Sequence, residues 1–523
     1  MKKLVVRTRK SVALAGHFVG AEVNLALGRK VRRAATPRQA LEQWLGALGA
    51  VPPARGRILI TALRNHTWVE WAAYCACVIR RLGFEATLVY DAQQIERLYA
   101  GGTKSRFFTA LVRIPGIELV DLRGGAAPPA AGQTKWRPAA EAWAPAALAY
   151  DRHIEEADVK ADEPRFRSEL KALAEHATLL GAGLEMALRG RVLHRAFCFS
   201  GLIGESKVLL DVLRAHRIET VCLEGWAWRP GHMIYNLNAP ALEYNVTGWM
   251  RSLGPWDAAK EREVDAYLKF LDGEKHDAAW LENFYRIQRD ALSRTLAPNL
   301  RTFLAGEAPV FVLAPNVIGD SSTLNRETVF GGQQLWLAAV IDWFAARPHL
   351  KLVVRAHPAE RWIGGKCVIF LGDTARKLAA GRPNILVIDS AESVNTFALI
   401  PFARAGLVWL SSAGVDFVVR GLPAVVAARP KYTGLGIVTE PATCEDYFAQ
   451  IERWARRAER PDENQIRQGK RYLHMVFKGF SFEATARNYR ATEMRLGAMP
   501  DQPNHDRFYR ILVGDEPMPD VVP

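Results

Sequence analysis

Four short segments gather the side chains able to hold an anion or move a proton. Ala314-Pro315-Asn316-Val317-Ile318-Gly319-Asp320-Ser321-Ser322 sets amide, carboxylate and hydroxyl groups after an apolar run. Arg355-Ala356-His357-Pro358-Ala359-Glu360 follows a second run with two cationic donors and a carboxylate. Asp389-Ser390, with Ser393, Asn395 and Thr396 opening the next helix, follows a third. Ser411-Ser412-Ala413-Gly414, with Asp416 in the following turn, comes after a fourth. Two hydroxyls and a glycine where a helix starts offer backbone N–H groups and the positive dipole end to an anion. The plainer reading of the same residues is an N-cap by Ser411 or Ser412, which contributes about 1 kcal/mol. Arg355 and His357 would bring cationic donors to the same anion, though Pro358 after a strand also reads as a simple stop.

Proton transfer needs a base, and the first half offers Glu224-Gly225-Trp226-Ala227-Trp228-Arg229-Pro230-Gly231-His232 after a short apolar run. A carboxylate beside two tryptophans suits a sugar-stacking subsite with Glu224 or His232 as base. A surface loop whose tryptophans pack on the sheet is an equal reading. His66 is a further candidate. The Gly201–Ser206 loop matches neither a Walker nor a dinucleotide glycine pattern and reads as a strand-to-helix turn.

The elements that must position these residues alternate between strand and helix. Arg57–Thr61, Trp68–Leu82 and Ala86–Tyr90 read as strand, helix and strand, which implies a parallel sheet and a right-handed crossover. Gly125–Pro145, rich in Ala, Pro and Gly, reads as a loop or lid. A long helix is expected over Glu163–Leu188. A second unit follows, with Arg195–Ser200 as strand, Gly204–His216 as helix and Glu219–Leu223 as strand. The charged tract Ala258–Leu296 reads as a helical bridge. The second series has strands at Pro309–Leu313, Leu350–Val354, Ile385–Ile388, Gly406–Leu410 and Ala424–Ala427, with helices at Leu335–Ala346, Val394–Ala403 and Gly414–Arg420. Helices near Cys444–Ala458 and Glu463–Phe477 precede an irregular, proline-bearing tail. The economical division is 1–50 as an N-terminal extension, 51–300 and 301–465 as Rossmann-like halves, and 466–523 packing back on the first.

Composition narrows the classes. The chain has 523 residues, 49% hydrophobic and 24% charged, enough to bury a sizeable core and too ordered in composition for a disordered scaffold. No apolar run approaches the roughly 18 residues of a membrane span. The basic opening lacks a following apolar stretch and cleavage site, so a secretory signal is not expected. Six cysteines lie in apolar stretches without a C-x-x-C pair and read as reduced core residues of a cytosolic protein. A net charge of +14 favours anionic partners. Nucleic acid is disfavoured, because no basic–aromatic ribonucleoprotein motif or helix-turn-helix signature is found.

Taken in order, Asn316 with Asp320-Ser321 and Phe330, Val354 to Glu360, Asn395-Thr396, Ser411 to Asp416, Gly421-Leu422-Pro423, and Tyr432 with Gly434 and Gly436 resemble bacterial capsule polysaccharide biosynthesis proteins. Those are GT-B-type glycosyltransferases with His-Pro and Ser-Ser motifs, related in layout to polysialyl- and Kdo-transferases. The resemblance spans roughly 305–480, including Arg471-Tyr472 and Phe477. In the first half it rests only on the fold pattern and Pro240 to Val246.

The resemblance implies an α/β, GT-B-like fold: two Rossmann-like domains facing a cleft, with C-terminal helices crossing back. It implies that His357 contacts the donor phosphate while Ser411, Ser412 and Gly414 cradle the nucleotide. Asn316, Asp320, Ser321, Arg355, Pro358, Glu360, Asn395, Thr396, Asp416 and Tyr432 complete the implied donor site. Asp416 departs from the glutamate expected there, which bears on donor identity. The implied partners are a nucleotide-sugar donor and a saccharide or lipid-linked saccharide acceptor, at the inner membrane face or an export complex. No D-x-D motif is present and no metal or other cofactor is called for. Other readings of the same residues are transfer of a polyol phosphate from a CDP-activated donor and a non-catalytic sugar- or nucleotide-binding homologue.

Overall fold

Long apolar runs without alternation build both sheets, as expected where each face is covered by helices. The computed structural model describes residues 53–63, 66–94, 114–124, 135–225, 232–272, 295–360, 369–479, 481–483 and 505–514. The expected extension at 1–50, Trp226, Trp228 and most of the tract after Leu271 lie outside them.

The first sheet contains β1 (Arg57–Ala62), β2 (Glu85–Tyr90), β3 (Ile117–Asp121), β4 (Arg195–Phe199), β5 (Thr220–Gly225) and β6 (His232–Leu237). The second contains β7 (Val310–Ala314), β8 (Lys351–Arg355), β9 (Ile385–Ile388), β10 (Ala403–Val408) and β11 (Ala424–Val426). A last short strand, β12 (Phe482–Glu483), returns to the first sheet. The strand orders are β12-β6-β5-β4-β1-β2-β3 and β11-β10-β7-β8-β9. Each has the doubly wound order in which the first strand sits beside the second and the fourth. β1 to β5 and β7 to β11 are parallel, while β6 and β12 add an antiparallel edge.

The helices are α1 (His66–Arg81), α2 (Arg137–Arg152), α3 (Glu156–Ala161), α4 (Glu163–Leu188), α5 (Gly204–Ala215), α6 (Val246–Ser252), α7 (Ala258–Leu271) and α8 (Pro298–Leu304). The second half adds α9 (Gln333–Ala345), α10 (Leu371–Leu378), α11 (Ala413–Val419), α12 (Cys444–Arg456), α13 (Glu463–His474) and α14 (His505–Val513). One core runs through both halves, from Ile58, Ile60 and Phe197 to Val310, Val408 and Phe417 by way of Tyr267, Leu473 and Phe477. The opposite faces carry separate cores, one around Phe311, Trp336 and Leu352 and one around Leu59, Leu180 and Leu209.

The expectation of two Rossmann-like halves holds, and three local expectations do not. Residues 137–145 of the expected Gly125–Pro145 loop are helical, because Pro138 sits in the first turn where its missing N–H is harmless and four alanines favour helix. The expected helix Val394–Ala403 is a short 3₁₀ turn, Thr396–Phe402, since Pro401 removes a helical donor. The tail is less irregular than expected, for β12 pairs with β6 through Phe482 and Met233 and α14 follows.

Gly183 on α4 lies against the Leu122 carbonyl, where a Cβ has no room. Gly183→Ala should therefore cost roughly 3 kcal/mol through overpacking against backbone. The drop would be read from the urea midpoint, and an unchanged midpoint would contradict this packing.

Candidate active site

In the second sheet β7 lies between β8 and β10, so the crevice beyond the carboxyl ends of β7 and β10 is a topological switch point. Asn316 spans it, its Oδ1 accepting from Leu410 N at 3.3 Å. Gln333, buried at the start of α9, fixes Asn316 in turn. Its Oε1 accepts from Asn316 N at 2.7 Å and its Nε2 donates to Asn316 O at 3.3 Å. Nothing in the sequence singled out Gln333. Asp320 folds the loop behind it, Oδ1 accepting from Ser322 N at 2.7 Å, with half-buried Ser321 between them. Gly319 has φ +72°, and a Cβ there would lie 2.6 Å from His153 Cα, so the two halves touch at this glycine.

His357 follows β8 and is half-buried. Its Nδ1 accepts from Ala359 N at 3.1 Å, which places the proton of the neutral ring on Nε2. Burial lowers its pKa to about 4, against the pull of Asp320 and with Arg355 adding to the drop. His357 is thus a neutral one-proton donor, not the cationic donor expected from sequence. Pro358 is half-buried beside it.

Arg355 is also unlike its expected role. It is 1% exposed, and its guanidinium donates to the carbonyls of Ala356, Asp389 and Glu392 at 3.1, 2.5 and 3.1 Å. It braces the ends of β8 and β9, because a buried charge at a strand end must find partners.

At the fourth segment, Ser411 Oγ accepts from Ala413 N at 3.2 Å, one residue ahead of the N-cap position that Ser412 holds. Ser412 makes no side-chain cap. Tyr432, 1% exposed, donates from its hydroxyl to Ser411 O at 2.6 Å. A Cβ on Gly414 would lie 2.6 Å from that hydroxyl, so the glycine makes room for Tyr432. α11 spans only seven residues.

Four other expected donor-site residues hold the fold. Glu360 accepts from Leu371 N at 3.0 Å and Gly372 N at 3.4 Å, capping α10; burial pushes its pKa up to about 7. Asn395 donates to Leu271 O at 2.7 Å and accepts from Phe397 N at 2.8 Å, tying α7 to the 3₁₀ turn that Thr396 opens. Asp416 is 3% exposed and pairs with Arg420 at 3.3 Å, and burial pushes its pKa up to about 6 despite that partner. Arg420 reaches on to Asp272 at 3.2 Å. Asp416 therefore faces a cross-half ion pair and not the crevice.

In the first half, Glu224 is half-buried near the end of β5, its Oε1 accepting from Gly225 N at 3.3 Å. His232 opens β6, opposite Glu483 of β12. His66 is the first residue of α1. The sequence missed a His–carboxylate pair at the end of β2, where His176 Nε2 and Asp91 Oδ2 are 2.8 Å apart. Burial works against the Asp91 charge, yet the His176 contact, Arg123 and the Gln94 N–H hold its pKa below the usual range. The partners stand 85 residues apart, so no spacing could reveal them.

The halves meet through Glu155, which accepts from Gln334 N at 2.9 Å at the start of α9, while Gln334 Nε2 donates to Asp158 at 2.9 Å. Burial pushes the Glu155 carboxyl up to about 7. The cleft between Ile154–Glu156 and Ile318–Gly319, floored by Gln333 and Trp409, encloses about 20 Å³, room for one water.

No family model matches the chain, and no curated protein does. Solved structures with a similar layout include the KpsC β-Kdo 2,4 transferase of Thermosulfurimonas dismutans, 14% identical with a TM-score of 0.35, covering 62% of this chain and 88% of that one. The β-Kdo 2,7 transferase of the same source is 13% identical with a TM-score of 0.34, over 64% and 88%. The UDP-GlcNAc 2-epimerase of Neisseria meningitidis is 11% identical with a TM-score of 0.24, over 80% and 98%. Likeness at this level assigns no role to any residue of this chain.

Two outcomes test the site as built. An NMR titration of ring-labelled histidine should find His357 neutral, with its proton on Nε2, down to about pH 5. A cationic ring at pH 6 would contradict the burial described. Glu360 holds its proton more tightly folded than unfolded, so its contribution to stability declines as pH rises from about 4.5 to about 7. Glu360→Gln should flatten that part of the profile measured by urea unfolding, whereas an unaltered slope would show that Glu360 is not its source.

Proposed function

We propose that the chain is a glycosyltransferase that takes a sugar from a nucleotide-sugar donor and passes it to a saccharide or lipid-linked saccharide of a cell-surface polysaccharide. The observation that carries this reading is a neutral Nε2–H donor, His357, beside the switch-point crevice that Asn316 spans. The motif resemblance of residues 305–480 supports the same reading.

Departure of the nucleotide concentrates negative charge on the leaving phosphate, and a donor already oriented there stabilises it without reorganisation. His357 Nε2 donates to that phosphate. Ser411, Ser412 and the backbone around Gly414 hold the nucleotide, and Asn316, Asp320 and Ser321 line the opposite wall. Arg355, Glu360, Asn395, Asp416 and Tyr432 act behind this surface, shaping the loops that carry it. Glu224 or His232 takes the proton from the acceptor hydroxyl, and His176, backed by Asp91, is the structural alternative. The reading calls on no metal ion and places the enzyme at the inner membrane face. A nucleotide sugar needs a pocket of several hundred Å³. Its entry at Gly319 therefore requires the Glu155–Gln334 contact to open.

A thermal-shift panel of nucleotides and CMP-, CDP-, UDP- and GDP-sugars tests the reading. A ligand at 100 times its Kd adds about 2.7 kcal/mol of stability. One nucleotide class should stabilise the wild type and fail to stabilise His357→Ala, which should lose transfer while remaining folded. Full activity in His357→Ala would remove the donor-site assignment. Among Glu224→Gln, His232→Ala and His176→Ala, the base is the one whose loss lowers turnover without changing donor affinity.

A further inference from the structure

Three cations and one carboxylate meet where the second half touches the segment after β6. Arg429 N donates to Arg326 O at 2.9 Å and Glu327 bridges Ala428, so the stretches 325–327 and 428–431 run together. Across the boundary, Arg326 Nη2 lies 3.1 Å from Glu243 Oε1, and Lys431 Nζ sits 5.9 Å from the centre of the Tyr244 ring. Arg429 Nη2 reaches the Asn325 carbonyl, at 3.5 Å, as its one side-chain partner among the described residues. The charges acting on Lys431 are Arg326, Glu243 and Arg429. Among these charges the one carboxylate, Glu243, is already paired with Arg326 and is 47% exposed.

The Lys431 ammonium makes no hydrogen bond or ion pair among the described residues, although the side chain is half-buried. Burial, and then repulsion from Arg326, lowers its pKa to about 7. A cation withdrawn from water beside two others is unfavourable, and an anion placed among them relieves both the desolvation and the repulsion. Two guanidinium forks and an ammonium also match the oxygens of a phosphate or carboxylate. Tyr244 gives the site an aromatic wall.

We propose that Arg326, Arg429 and Lys431 form a binding subsite for an oxyanion, a phosphate or a carboxylate, on a substrate that enters at the boundary of the two halves. The subsite rests on this charge arrangement and not on the donor reading. Two sources share the chemistry: the phosphate of a nucleotide and the carboxylate of an acidic saccharide. Binding of either at pH 7.5 raises the Lys431 pKa and takes up part of a proton.

Isothermal titration in two buffers of different ionisation enthalpy tests this, with inorganic pyrophosphate, CMP, an oligogalacturonate and a neutral dextran as probes. At least one anionic probe should bind with proton uptake while dextran does not. Lys431→Met keeps the stem against Tyr244 and should abolish the proton uptake, weakening that probe about tenfold; Arg429→Gln should weaken it comparably. Binding of pyrophosphate and CMP names the phosphate source, and binding of oligogalacturonate alone names the carboxylate. The inference fails if no anionic probe binds, or if neither substitution changes affinity by more than twofold. If no nucleotide binds while pyrophosphate or oligogalacturonate still responds to Lys431→Met, the donor reading fails and the subsite stands.

Discussion

The return of β10 to lie against β7 governs what the second half can do. Because β8 and β9 are laid down on one side and β10 and β11 on the other, the loops after β7 and β10 part from each other at the sheet edge. A crevice is left that neither loop alone would make. Asn316 crosses it to Leu410, and Gln333 holds Asn316 from the next helix. The same closeness depends on Gly406, since a Cβ there would run into the Phe417 ring and push α11 away from the sheet. The position of Ser411 follows from that contact and from the Tyr432 hydroxyl on its carbonyl.

What the sequence disclosed and what it withheld divide along a physical line. Apolar runs and strand-end placement are legible, so the sequence pattern alone sets His357, Asn316 and Ser411 at one sheet edge. The partners of buried polar groups were not legible, because they come from distant elements. Glu360 after His357 looked like one of a cluster of ligand groups, yet it caps α10, eleven residues on. Asn395 bonds Leu271, and Arg420, the partner of Asp416 one turn away, reaches on to Asp272; both cross-half contacts are ones that no local pattern encodes. The charge state of His357 is hidden from the sequence for a related reason. Burial decides it, and a residue's depth is set by everything packed around it.

The halves are closed by a carboxylate resting on the start of a helix. Glu155 satisfies the first free amides of α9 and lies where the positive end of that helix favours a negative charge. Separation of the halves returns this carboxylate to water and uncovers those amides together. The contact is specific in geometry, yet it stands on few groups beside the continuous apolar core that joins the halves elsewhere.

The first sheet is completed from the far end of the chain. Its edge strand β6 pairs with β12 at Phe482, and the carbonyls of Val513 and Ile511 receive His194 and Arg195. On a ribosome adding roughly 5–20 residues per second, β12 emerges on the order of ten to fifty seconds after β6. During that interval the β6 edge presents unpaired backbone groups open to other strands. The unit synthesised first is therefore the one finished last, and its exposed edge must wait through the making of an entire second half.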